Sequence, residues 1–147
     1  MGGETYIGPL LGQCHHLAKR QLLRSVQQYD ITPVQAHAML FLIHHRDQEE
    51  TTQQALEQFL KIRPSTVNGV VARLVEKGFV ISAAGKTDAR RRQLTLTDRG
   101  LALEAVFYDG VHAAETALLT GFDPEESAQL RSYLTRMIQN LEKESTL

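Results

Sequence analysis

The sequence predicts a mainly helical α+β fold: a helix-turn-helix followed by a small β-hairpin wing, with further helices before and after this winged helix-turn-helix core. Three observations predict it. Apolar residues recur every three or four positions along most of the 147-residue chain, the period of a half-buried helix. The period falls to two only after Gly78, in Phe79-Val80-Ile81 and again in Leu94-Thr95-Leu96-Thr97, as strands require. Capping and turn residues stand between the periodic stretches.

Over residues 8–29, Leu10, Cys14, Leu17, Leu22, Val26 and Tyr29 share one helical stripe, which predicts a first helix. Thr32-Pro33-Val34-Gln35 supplies a cap hydroxyl, a proline at the first helical position and a glutamine three residues after the cap. A second helix therefore starts there and runs to about His45, with a face of Val34, Met39, Leu40, Leu42 and Ile43. The polar stretch Arg46-Asp47-Gln48-Glu49-Glu50 reads as a loop. Thr51 with Gln54 repeats the capping pattern ahead of a short third helix that carries Leu56, Phe59 and Leu60. Pro64 opens a fourth helix with the stripe Val67, Val70, Val71 and Leu74, and Gly78 ends it. The third and fourth helices make the helix-turn-helix.

The two alternating runs form the hairpin, and Ser82 to Arg92 between them is its polar loop, with Gly85 expected near the tip. Thr97 or Asp98 caps a fifth helix with Leu103, Phe107, Val111, Ala114 and Leu118 on one side. Asp123-Pro124-Glu125-Glu126 caps a sixth, whose stripe is Leu130, Tyr133, Leu134, Met137, Ile138 and Leu141. The expected organisation is a single domain over 1–147, with a winged core over 32–97 and flanking helices over 8–29 and 98–143.

Composition bounds the function. At 42% hydrophobic and 22% charged residues the chain has the make-up of a folded domain. The single cysteine, Cys14, cannot close an intramolecular disulfide, and the sequence opens without a basic stretch and apolar signal core, so a reducing cytoplasm is expected. No apolar run approaches the ~20 residues that span a bilayer, so no membrane partner is expected. No Gly-rich phosphate loop, nucleophile elbow or His-Glu-x-x-His helix occurs, and the acids sit in caps and polar stretches. An enzyme is therefore not expected, nor a cofactor.

The net charge of −1 conceals a strong asymmetry. Residues 61–99 hold nine Lys and Arg against three acids, a net +6, and the remainder carries −7. The central block should attract phosphate while the flanks should not, which suits one face for nucleic acid and another for protein or a small molecule. In a helix-turn-helix the second helix enters the major groove. Opposite its buried stripe the sequence places Ser65, Thr66, Asn68, Gly69 and Arg73: short polar groups for base edges or phosphates, a glycine that permits close backbone approach, and an arginine. Arg63 stands where a capping acceptor is expected; arginine has none, so a contact with DNA is its functional reading and a tolerated weak cap the alternative.

The stretch Lys86-Thr87-Asp88-Ala89-Arg90-Arg91-Arg92-Gln93-Leu94-Thr95-Leu96-Thr97-Asp98-Arg99-Gly100 resembles the wing signature of the MarR family, an Asp-x-Arg, then alternating strand residues, then Leu-Thr-x-x-Gly opening a helix. Pro64 to Gly78 is similar to that family's recognition helix and its terminator. The resemblance extends in the right order over essentially the whole chain. It implies a transcriptional regulator, expected to be a repressor, that binds double-stranded DNA at a palindromic operator as a homodimer. The first, fifth and sixth helices would intertwine with the partner. It also implies that Asp88 braces an arginine at the base of the wing and that Arg90 enters or borders the minor groove, where negative potential is concentrated. Lys86, Arg91 and Arg92 would add phosphate contacts.

Family members are released from DNA by a small organic effector, by cysteine oxidation or by a metal. Cys14 lies roughly where peroxide-sensing relatives keep a reactive cysteine, but Pro33 and Val34 stand where those relatives place a tyrosine. His15-His16 and His44-His45 are adjacent pairs that point apart on a helix. His37 and His112 could converge as ligands do in zinc-sensing relatives, yet the fifth-helix ligand cluster is replaced by Phe107 and Tyr108. The leading expectation is an aromatic-lined pocket for a small organic effector near Cys14, His37, Phe107, Tyr108 and His112. Redox sensing at Cys14 and zinc sensing are the alternatives within the same fold, and a winged-helix scaffold for protein contacts without DNA binding is the alternative class.

Overall fold

The computed structural model describes residues 5–145; residues 1–4 and 146–147 of the expected single domain lie outside the described residues. The chain divides into two compact units, one ending at Ala114 and the next beginning at Glu115.

In the first unit, α1 spans Ile7–Val26 and passes through a 3₁₀ turn, Gln27–Tyr29, to Asp30, whose φ of 55° lies in the left-handed region. The helix expected over 8–29 thus tightens in its last turn and stops at Asp30. Helix α2, Pro33–His44, begins at Thr32 in a complete capping box: the Thr32 hydroxyl accepts from the Gln35 N–H at 3.4 Å, and the Gln35 side-chain Oε1 accepts from the Thr32 N–H at 3.3 Å. This helix is central, so its buried surface is not a stripe. Ala36, Ala38 and Phe41 are buried beside Met39, Leu42 and Ile43, while the expected face residues Val34 and Leu40 are only partly covered.

Helix α3, Gln53–Leu60, is capped by Thr52, whose hydroxyl accepts from the Ala55 N–H at 3.1 Å. The expected cap, Thr51, does something else. It is buried, its hydroxyl donates to the His45 carbonyl at 3.2 Å, and its own carbonyl accepts from the Leu94 N–H at 2.8 Å. Two adjacent threonines can each cap, and the pairing of the 51–52 segment with the hairpin decides between them. Leu56 is fully buried, whereas Phe59 is half-exposed and lies against Phe41 at 4.9 Å between ring centroids.

Helix α4, Pro64–Glu76, buries Val67, Val70, Val71 and Leu74 as its spacing predicts, and Gly78 follows at a φ of 79°, a conformation that glycine adopts without a Cβ penalty. Strands β1, Val80–Ala84, and β2, Arg92–Leu96, pair antiparallel with Val80 opposite Leu96 and Ala84 opposite Arg92. The strands therefore reach further toward the loop than the sequence pattern suggests. Gly85 is not at the tip: it is buried at the neck of the loop, its N–H donating to the Arg91 carbonyl at 2.7 Å.

Helix α5, Asp98–Leu118, is joined to the hairpin by Thr97, whose hydroxyl accepts from the Gly100 N–H at 3.0 Å and donates to the Gly78 carbonyl at 2.6 Å. Leu103, Phe107 and Ala114 are buried; Val111 is exposed, as is Leu118 beyond the unit boundary. Met39, Leu56, Val67, Leu74, Phe79 and Phe107 form the centre of the core, each essentially inaccessible. The core therefore joins the helix-turn-helix, the hairpin and the first half of α5 into one body.

In the second unit, α6, Pro124–Glu144, starts in another complete capping box, with Asp123 accepting from the Glu126 N–H at 2.8 Å and Glu126 accepting from the Asp123 N–H at 3.0 Å. Arg131 pairs with Glu115 at 2.9 Å. None of its residues is buried. Tyr133, Ile138 and Leu141, from the expected stripe, are exposed.

Candidate nucleic-acid interface

The buried stripe of α4 leaves Ser65, Thr66, Asn68, Gly69 and Arg73 on its exposed side. A Cβ added at Gly69 would meet no atom within 4 Å, so the backbone there is open to close approach. Two of these groups are already engaged by neighbours. Asn68 accepts a short hydrogen bond from the Gln53 side chain at the start of α3, and Arg73 pairs with Glu76 one turn on at 3.1 Å. Gln53 carries no signal of this role in the sequence, because its partner lies 15 positions away on another helix. Arg63 precedes Pro64 in extended conformation and is exposed, and its side chain makes no capping bond.

In the wing loop, Asp88 Oδ1 accepts from the Arg90 N–H at 3.0 Å and from Arg90 Nε at 3.2 Å, while Arg91 Nε stands 3.8 Å from Oδ2. The backbone donation from Arg90, then its side chain, holds the Asp88 carboxyl below its usual range. The turn formed by an Asp side chain on the amide two residues ahead is a common loop device. Here it presents Arg90 with 92% of its side chain accessible. The arginine that Asp88 braces is thus Arg90 itself, within the loop. Lys86 and Arg91 are exposed. Arg92 is also exposed, but its guanidinium crosses the hairpin to Ser82, with Nε 3.2 Å from the hydroxyl and Nη2 3.0 Å from the carbonyl.

One further basic residue of this block turns inward. Lys77, at the end of α4, donates to the Gln35 side chain at 2.8 Å and to the Asp30 carbonyl, with Asp30 Oδ2 at 3.8 Å. It clasps the end of α4 to the turn between α1 and α2.

The residues expected at an effector pocket have different surroundings. Phe107 is enclosed in the core, His37 is partly buried, and Cys14, Tyr108 and His112 are exposed. Burial, then the charges of Lys19 and His15, push His37 below its ordinary pKa. Among the described residues no three His, Cys, Asp or Glu side chains converge as a metal site would require, and no helix is long and apolar enough to cross a membrane.

A family model described as "MarR family" matches residues 29–91. Among curated proteins none matches the chain in sequence. Solved structures similar to it include MepR, a transcription regulator of the multidrug efflux pump MepA of Staphylococcus aureus, at 26% identity over 93% of this chain and 99% of that one, with a TM-score of 0.80. The S. aureus MepR–DNA complex is similar at 26% identity, 93% and 99% coverage and a TM-score of 0.74. S. aureus MepR bound to ethidium bromide is similar at 26% identity, 95% and 99% coverage and a TM-score of 0.64.

Proposed function

We propose that this chain is a DNA-binding transcription regulator of the MarR kind, as the family-model match over residues 29–91 supports, a repressor and not an enzyme, which holds its operator as a homodimer and leaves it when a small organic effector binds. The observation that carries this reading is the exposed polar side of α4, with Ser65, Thr66, Asn68, Gly69 and Arg73, together with the exposed Arg90 of the wing, which Asp88 braces. Both lie in the block with a net charge of +6. The helix would read base edges in the major groove, Arg90 would enter the adjacent minor groove, and Arg63, Lys86, Arg91 and Arg92 would supply charge to phosphates. Asp88 would serve by holding Arg90 in place. That MepR is similar in its DNA complex supports DNA binding by this chain.

The dimer is supported by apolar side chains left in solvent. Tyr6, Ile7, Leu10, Leu11 and Leu17 are exposed on and just before α1, and Leu118, Phe122, Tyr133, Ile138 and Leu141 are exposed in the second unit. In each unit taken by itself, such exposed apolar side chains are what an association surface would offer. On this reading 32–97 is the DNA-binding lobe, and 8–29 with 98–143 are dimerisation helices. Two lobes related by a twofold axis would meet half-sites about one helical turn apart, hence a palindrome. The effector would be a small organic molecule, with Cys14, His37, Phe107, Tyr108 and His112 as the residues proposed for its site. MepR bound to ethidium bromide supports that ligand class.

Selection of bound duplexes from a random library, followed by gel shift, tests the reading. The expected product is a palindrome bound by a dimer. Arg90→Ala should weaken binding and flatten its dependence on log salt by about one unit. Absence of any enriched duplex at low salt would overturn the proposal in favour of a scaffold for protein contacts.

A further inference from the structure

Glu50 lies in the polar loop before α3, and its carboxylate reaches the wing. Oε1 accepts from the Lys86 N–H at 2.6 Å and the Thr87 N–H at 3.5 Å, and Oε2 accepts from the Thr87 hydroxyl at 2.5 Å. The Thr87 hydroxyl is the first of several donors that keep this carboxyl below its usual range. On electrostatic grounds an acid against a basic wing is unfavourable for DNA binding, because it repels phosphate. Its geometry supplies another role.

The residues that follow Glu50 belong to both halves of the motif. Thr51 accepts from the Leu94 N–H of β2, Thr52 forms an antiparallel bridge with Gln93, and Thr52 also caps α3. Glu50 therefore stands at the joint between the helix-turn-helix and the wing. The loop it grips is closed on itself: Gly85 donates to the Arg91 carbonyl at 2.7 Å and Arg91 to the Asp88 carbonyl at 3.0 Å. A Cβ at Gly85 would fall 2.6 Å from the Asp88 carbonyl oxygen and 3.0 Å from Glu50 Oε1, so loop and carboxylate are in full contact. Asp88, in that loop, holds Arg90.

We propose that Glu50 is a positioning residue for the wing: its carboxylate fastens the wing loop to the start of α3 and thereby fixes where Arg90 stands relative to the reading helix. The inference rests on the reading of Arg90 as a DNA contact. It reverses the sign that charge alone predicts. Removal of an acid from a DNA-facing surface should tighten binding, whereas loss of the fastening should weaken it.

The test is a set of double-mutant cycles on the selected operator duplex, with the full-length protein and thermal unfolding as a check on folding. Glu50→Ala should lower affinity at least about tenfold, the equivalent of one charged hydrogen bond. The Glu50→Ala, Arg90→Ala pair should bind no more weakly than Arg90→Ala alone, while the losses from Glu50→Ala and Arg73→Ala should multiply. Glu50→Gln, which keeps one acceptor oxygen, and Thr87→Ala, which removes one donor, should each show a smaller loss that vanishes in the Arg90→Ala background. These two carry the test if Glu50→Ala does not fold. Unchanged or tighter binding by the Glu50 variants, or losses that multiply with that of Arg90→Ala, would overturn the proposal. If Arg90→Ala itself is silent, the wing reading fails first and this inference goes with it.

Discussion

Gly100 offers the sharpest test of how the wing is joined to the rest of the lobe. It lies in the first turn of α5, where alanine would ordinarily stabilise a helix by about 1 kcal/mol. A Cβ at this position, however, would drive into the Phe79 carbonyl oxygen and fall 3.1 Å from the Phe79 carbonyl carbon and 3.2 Å from Leu96 Cδ2. The nearest obstacle is backbone, so no rotamer change relieves it, and the helix must retreat by about 1 Å to reach ordinary contact. That retreat pulls on the Thr97 N–H bond to the Phe79 carbonyl at 3.0 Å and on the Thr97 hydroxyl bond to the Gly78 carbonyl at 2.6 Å. Each is worth about 1 kcal/mol, and looser packing around the buried Phe79 adds about 1–2 kcal/mol. Against the helix gain, Gly100→Ala should destabilise by about 2–3 kcal/mol, a fall in Tm of about 5–10 °C for a chain of this size. Circular dichroism melts at one fixed protein concentration measure it, because self-association would otherwise shift the midpoint. Gly69→Ala is the control. It sits in α4 with nothing within 4 Å, so it should raise Tm by about 2–4 °C. A Gly100→Ala protein that melts at or above the parent temperature would refute the argument.

Three further outcomes follow from the same geometry. Thr32→Ala removes one half of the capping box at α2 and should cost about 1 kcal/mol in urea unfolding. Leu56→Ala, at the fully buried centre of α3, should cost about 2–5 kcal/mol in the same measurement. His37, held below its ordinary value first by burial, takes up a proton less readily folded than unfolded. Stability from this group is complete above about pH 6.5 and lost as pH falls through that range. The Tm should therefore drop between pH 7.5 and 5.5, and the drop should shrink in His37→Gln.

Local chemistry explains what could be read in advance. Thr32 with Gln35 and Asp123 with Glu126 declare their helices because a capping box needs only residues three apart. The stripe of α4 is legible because that helix has one wet side and one dry side. Helix α2 misled in its face because it is enclosed nearly all round, so Phe41 and Ala36 carry no periodic signal. Thr51 and Thr52 are equivalent by spacing, and only the distant hairpin chooses between them. Glu50 was hidden for the same reason: its donors are 36 and 37 positions away, and a run of acids and glutamines resembles any solvated loop. The candidate DNA-facing residues were visible as types and positions. The bracing by Gln53 and Glu50 belongs to tertiary contacts that composition does not encode, whereas the Asp88 turn onto Arg90 spans only two positions.

The clasp at Lys77 makes α4 a lever. Its carboxyl end is pinned to the turn that closes α1, while the residues proposed to meet bases lie toward the other end of a 13-residue helix. That span is about 20 Å. A tilt of about three degrees about the pinned end would displace the amino-terminal end by about 1 Å, enough to take a direct hydrogen bond out of range. Very small rotations of α1 would thus be magnified into loss of register with the bases.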